Sequence, residues 1–246
     1  MKVDIMAIGA HPDDCEISMG GTIAKFVAKG YKVLILDLTN GEPTPKGDPE
    51  RRLREAKEAA EILGAYRITL DLKNRFLFDS IEARYKVASV MRVFKPELIF
   101  CHLELDAHPD HIQAFNISYA SRFYSKLTKV SFKLDPNFIL LNTTGLDLSN
   151  SDLLKEESNY PKKIFRFFSN HLRINLTPSF VVDISGFIDK KIEACKAYKS
   201  QFEDFKVEEY IMSFAKYWGF LARTEFAEPF YNHEIFKINS IDALFD

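Results

Sequence analysis

Along the first half of the chain, short apolar runs alternate with stretches whose hydrophobic positions recur every three or four residues. Residues 3–8 and 32–38 read as strands, and 21–29 and 49–63 as helices. The rhythm continues with strands over 66–70 and 97–101 around a helix over 80–94. Gly30 and Gly64 fall where left-handed helix caps belong, and Pro49 falls near a helix start. Near-continuous apolar strands of this kind are buried on both faces in a parallel sheet. The pattern predicts an α/β chain, a three-layer Rossmann-like fold with a mainly parallel sheet flanked by helices. Between 135 and 179 neither period holds for long, and the segment reads as loops and short strands. Regularity returns with a strand over 180–184 and a helix over 186–202. No repeat, low-complexity tract or linker divides the chain, so residues 1–246 read as a single domain.

Composition narrows the partners. Lys and Arg total 33 against 35 Asp and Glu, so no overall positive field exists to hold a polyanion, and nucleic acid is not an expected partner. Cys15, Cys101 and Cys195 are widely separated, without a C-x-x-C pair, which fits neither a disulfide framework nor a cysteine zinc knuckle. No stretch reads as a signal peptide or a transmembrane segment, and a cytoplasmic location is expected.

Two clusters carry candidate chemistry. Gly9-Ala10-His11-Pro12-Asp13-Asp14-Cys15-Glu16 follows the first strand, and His108-Pro109-Asp110-His111 comes shortly after the fourth. In a doubly wound sheet these strands are neighbours where the winding reverses, and ligands bind beyond their C-terminal ends. Two imidazoles and one carboxylate, His11, Asp14 and His111, make a three-ligand set that leaves a position open, as catalytic zinc requires. Zinc would polarise an acyl oxygen and lower the pKa of a bound water toward about 7. Iron or another divalent ion suits the same donors. Asp13 is then free to act as general base, and His108, as an imidazolium, to stabilise the oxyanion and protonate the leaving amine. Asp110 is near enough in sequence to orient one of the histidines. Alone, the first motif also reads as a turn with an Asx cap, and the second as a helix start with a surface histidine. His102, His171 and His233 lack such company and read as core or surface histidines.

Ala10 to Glu16 and His108 to His111 resemble the two hallmark segments of the PIG-L/LmbE-like zinc-dependent N-deacetylases. The likeness continues through Gly20-Gly21-Thr22-Ile23-Ala24, Arg51-Arg52 with Glu55-Ala56, and Ala197-Tyr198-Lys199-Ser200-Gln201-Phe202. The last segment resembles the bacillithiol branch, which deacetylates N-acetylglucosaminyl malate. The resemblance implies the same zinc ligands, base and acid. It adds Arg52 as a substrate contact near the mouth and Tyr198 as a group that polarises the acyl oxygen. From the residues alone, Arg52 reads as a solvated helix position and Tyr198 as a core aromatic. An amino-sugar substrate follows, and a homo-oligomer is compatible with the family.

Departures bear on the substrate. Ala107 stands where close relatives carry arginine, which counts against an acidic aglycone such as malate, and Ser18 replaces a glycine. The aromatic run 160–168 reads as a loop, a pocket wall, an oligomer contact or a lipid-facing surface. Hydrolysis of a different amide on the same site is the nearest alternative. A nucleotide-binding protein with Asp37 as the ribose acid is a more distant one, since Gly9 to Asp14 is not G-x-G-x-x-G and two aspartates would repel a pyrophosphate.

Overall fold

The computed structural model describes residues 1–148, 157–169, 171 and 176–235. Strands β1 (Ile5–Gly9) and β2 (Val33–Thr39) are buried along their whole length. They are joined by β3 (Tyr66–Leu72), β4 (Leu98–Cys101) and β6 (Lys163–Phe167) in the parallel order β3-β2-β1-β4-β6. Alternation sends Ile5 and Ala7 to one face and Met6 and Ile8 to the other. Each face is covered by helices, which is why β1 carries no polar side chain and β2 none before Asp37. On one side lie α1 (Asp14–Ala28), α2 (Pro49–Leu63) and α5 (Ile188–Lys196), and on the other α3 (Ile81–Phe94) and α4 (Pro109–Ser125).

The sheet as a whole is mixed. At one edge β5 (Ile139–Asn142) runs antiparallel to β3. At the other, β8 (Ala227–Tyr231) pairs antiparallel with both β6 and β7 (Phe180–Asp183), completing an eight-stranded order β5-β3-β2-β1-β4-β6-β8-β7. The added strands β5 and β7 lie at the edges and are only partly buried, and β8 holds Pro229, which cannot donate to a ladder. Helix α7 (Val207–Ala222) closes this end over Ile184, Ile188 and Phe226. No helix among the described residues is long and apolar enough to cross a membrane.

Three expectations change. The helix placed at 21–29 begins at Asp14, with a kink at Met19 (φ −145°). Beyond the kink the N–H groups of Gly21 and Thr22 are capped by the Glu228 carboxylate at 3.0 and 2.7 Å, so a side chain from β8 starts the second half of the helix. The helix placed at 186–202 is two helices, α5 and α6 (Lys199–Phe202), separated where Tyr198 (ψ 64°) turns into the core. The aromatic run is mostly interior, because Phe165 and Phe167 lie on β6 and are buried against Phe100 and His102. Residues 149–156, 170 and 172–175 of the irregular segment fall outside the described residues.

Candidate active site

Strands β1 and β4 are adjacent and parallel, with Ile8 opposite Cys101, so the loops that follow them open side by side. After β1 the chain turns sharply through Asp13, whose φ of 114° is rare for a residue with a side chain, and enters α1 at Asp14. After β4, His108 caps α4 by accepting the Asp110 N–H on Nδ1 at 3.2 Å. Pro109 opens the helix and His111 falls in its first turn. These two turns bring His11, Asp13, Asp14, His108 and His111 to one cavity of about 160 Å³. A larger cavity of about 590 Å³ lies beside α6 and α7, but two of its lysines are taken up by its own glutamates, Lys196 by Glu208 and Lys206 by Glu209. The smaller cavity is the candidate site because unlike titratable groups converge there.

At its floor, Asp14 lies between two imidazoles. His111 Nε2 is 3.2 Å from Asp14 Oδ1, and His11 Nδ1 is 3.5 Å from Asp14 Oδ2. The far nitrogens are also engaged, His11 Nε2 with Asp110 Oδ2 at 3.2 Å and His111 Nδ1 with Asp106 Oδ2 at 3.0 Å. Burial alone would lower the pKa of both histidines. Hydrogen bonds to Asp110 and Asp14 outweigh it and raise His11 to about 9, and Asp14 and Asp106 raise His111 to about 10. Burial would raise Asp14, but His111 and His102 hold it well below the usual carboxylate range. Ligand atoms of His11, Asp14 and His111 all lie within 4.8 Å of one another, so the three could share one ion.

Asp13 stands beside this cluster with its carboxylate 2.9 Å from Arg52 Nη2. Burial pushes its pKa up and Arg52 pulls it back, leaving it at about 6. Arg52, read as solvated, is only 2% exposed, and its Nη2 also donates to the Pro12 carbonyl. Its Nε and Nη1 are buried without hydrogen-bond partners while the side chain lines the cavity. Gly41 (φ 73°) leaves room for that guanidinium, since a Cβ there would meet Arg52 Nε at 3.3 Å.

The surroundings of Tyr198 and His108 differ from those expected of them. Tyr198 is fully buried, and its hydroxyl donates to Glu16 Oε1 at 3.0 Å rather than facing an acyl oxygen. Its ring packs under Arg52, 5.3 Å from the guanidinium carbon. Burial and the charges of His111 and His11 push the His108 pKa down to about 4, which counts against the imidazolium expected of it. Asp37 is likewise unavailable to a ribose, being buried against Arg67 with contacts of 2.7 and 2.6 Å.

The structure also brings in residues that sequence reasoning set aside. His102 Nε2 is 3.0 Å from Asp14 Oδ2, and its ring stacks on His111 at 4.0 Å. Its position directly after the β4 run was a usable signal. His171 lines the cavity 5.4 Å from the His108 ring, and Ser169 donates to Asp106; both come from the irregular segment, where no pattern pointed to them. His233 stays apart, 3.0 Å from Glu104.

Residues 6–121 match the family model described as PIG-L, GlcNAc-PI de-N-acetylase. The diacetylchitobiose deacetylase of Thermococcus kodakarensis is 32% identical over 238 residues, which span 91% of this chain and 80% of that protein. The chain belongs to the PIG-L family. Among solved structures, the conserved protein TT1542 from Thermus thermophilus superposes with a TM-score of 0.80 at 34% identity, covering 96% of this chain and 97% of that one. The N,N'-diacetylchitobiose deacetylase from Pyrococcus horikoshii, in complex with its inhibitor MPG, follows at 0.72 and 26% identity, covering 92% of this chain and 82% of its own. The part of this PIG-L chain that matches the family model includes both site loops and Arg52, and ends within α4.

Proposed function

We propose that this chain is a metal-dependent hydrolase that removes the acetyl group from an N-acetylglucosamine-type conjugate. The observation that carries the reading is the convergence of His11, Asp14 and His111 at hydrogen-bond range with a separate carboxylate, Asp13, beside them. The donor set fits a divalent ion, because both histidines turn one nitrogen toward Asp14 while the other is held by a carboxylate. Zinc is the best match to two imidazoles and one carboxylate, and when bound it supplies Lewis acidity to an acyl oxygen and to a water.

The chain's own groups account for the rest. Asp13, with a pKa near 6, accepts a proton as the water oxygen adds to the acetyl carbon. His108 is neutral, and its Nδ1 is taken by the Asp110 N–H, so its proton sits on Nε2, where it can hydrogen-bond to the developing oxyanion. When the carbon–nitrogen bond breaks, the proton taken by Asp13 goes to the departing amine. The products are acetate and a free amino sugar. Arg52 lines the cavity and is a cation placed to contact sugar hydroxyls. Diacetylchitobiose, named in the relatives, is the first substrate to try, and an N-acetylglucosaminyl malate is the second.

The test is acetate release from N-acetylglucosamine conjugates by wild type, by chelated and zinc-restored protein, and by Asp13→Asn. Activity should vanish on chelation and return with zinc. Asp13→Asn should keep its metal and lose about 10²–10⁴-fold in kcat, the usual contribution of a positioned base. Full activity in Asp13→Asn would remove the base assignment. Absence of acetate from every amino sugar, with metal bound, would redirect the reading to another amide.

A further inference from the structure

Asp106 is a carboxylate outside both sequence motifs, and its side chain is only 1% exposed. Three donors converge on it. The His108 N–H reaches Oδ1 at 2.8 Å, while His111 Nδ1 at 3.0 Å and the Ser169 hydroxyl both reach Oδ2. Those donors come from separate parts of the chain: the loop after β4, the first turn of α4 and the segment after β6. His111 is thereby held at one nitrogen, with the other 3.2 Å from Asp14, and its face is fixed by the stacked ring of His102 at 4.0 Å. Asp110 serves His11 in the same way, and also accepts the Arg75 N–H at 2.6 Å. Each histidine of the candidate ligand set therefore has its own carboxylate on the side away from Asp14.

We propose that Asp106 and Ser169 are a positioning pair that places the His111 proton on Nδ1 and presents the Nε2 lone pair to the metal. The inference rests on the metal site proposed above. The physical cause is tautomer selection. A neutral imidazole carries one N–H, and a buried carboxylate opposite Nδ1 fixes it there, leaving Nε2 as the acceptor. The Ser169 hydroxyl uses a further lone pair of the same oxygen and so limits the directions in which that carboxylate can turn. The irregular segment thus contributes to metal binding without contacting the metal.

The test compares zinc affinity, by competition with a chromophoric chelator, in wild type, Asp106→Ala, Ser169→Ala and Asp106→Glu, each also in a His111→Ala background. Asp106→Ala should weaken zinc about 10–100-fold, the usual loss when an outer partner of a ligating histidine is removed. Ser169→Ala should weaken it less, and Asp106→Glu should recover part of the loss. In the His111→Ala background neither alanine substitution should matter further. Nitrogen-15 spectra of the histidine rings in the metal-free protein, taken above about pH 10 where His111 is neutral, should show its proton leaving Nδ1 in Asp106→Ala. Zinc affinity within twofold of wild type in Asp106→Ala, or an equal loss without His111, would overturn the pair. If Asp106→Ala does not fold, unchanged zinc affinity and tautomer in Ser169→Ala would overturn it. A wild type that holds zinc no better than His11→Ala would instead remove the site itself, and an unmoved tautomer would still count separately against the pair.

Discussion

Substituting Arg67→Met removes the guanidinium that Asp37 and Glu16 share beneath the site. Arg67 is fully buried, donating to Asp37 Oδ2 at 2.7 Å and Oδ1 at 2.6 Å, and also to Glu16 Oε1. Methionine keeps the apolar bulk, so the packing term is small and the loss comes from two carboxylates left without their cation. Breaking a buried pair from one side costs about 3–5 kcal/mol. In a domain of this size each kcal/mol moves Tm by about 2–4 °C, so calorimetry should record a fall of about 6–20 °C. The pH dependence gives a second check. Burial already raises the Asp37 pKa against the pull of Arg67, and without Arg67 it rises further. A carboxylate whose folded pKa exceeds its unfolded value destabilises above the folded pKa and is relieved as pH falls toward the unfolded one, about 3.9. The Tm deficit should therefore shrink on acidification, and Arg67→Met/Asp37→Leu should recover part of it at neutral pH. A fall of less than about 3 °C, or a deficit that grows as pH is lowered, would refute the reasoning.

Three other outcomes are expected. Because His11 and His111 hold their protons up to about 9 and 10 without metal, zinc binding near neutral pH should release about two protons, seen as a buffer-dependent calorimetric enthalpy. Affinity should accordingly rise with pH up to that range, and a pH-independent Kd would contradict it. Gly41→Ala places a methyl 3.3 Å from Arg52 Nε in a left-handed backbone, and should raise KM for an amino-sugar substrate more than it lowers kcat. Tyr198→Phe keeps the ring under Arg52 and removes only the hydrogen bond to Glu16. It should lower Tm by about 2–4 °C while leaving kcat within a few-fold, and a hundredfold loss of kcat would return Tyr198 to the acyl oxygen.

The central strands and the helices beside them were legible because burial on both faces forces unbroken apolar runs such as Met6-Ala7-Ile8 and Val33-Leu34-Ile35-Leu36. The same regularity put β1 beside β4, and with it both motifs in one crevice. Strand β6 escaped notice because its Arg166 breaks the apolar run, although it is buried as an inner strand. The first half of α1, from Asp14 to the kink at Met19, was missed because the Gly20-Gly21 pair that follows it argues against a continuous helix. His11, Asp13, Asp14, His108 and His111 were readable because each motif supplies its residues locally. Asp106, Ser169 and His171 were not, since their meaning depends on β6 lying beside β4, a contact between segments with no shared pattern.

The Glu228 cap spans 207 residues to reach Gly21. At about 5–20 residues per second, translation would leave the first helix without that cap for roughly 10–40 s after Gly21 is made. The loop after β1 is thus made well before the strand that secures the helix it enters. Until β8 arrives, the helix that begins at Asp14 lacks the cap on its second half, and the loop that carries His11 leads into an unfinished support.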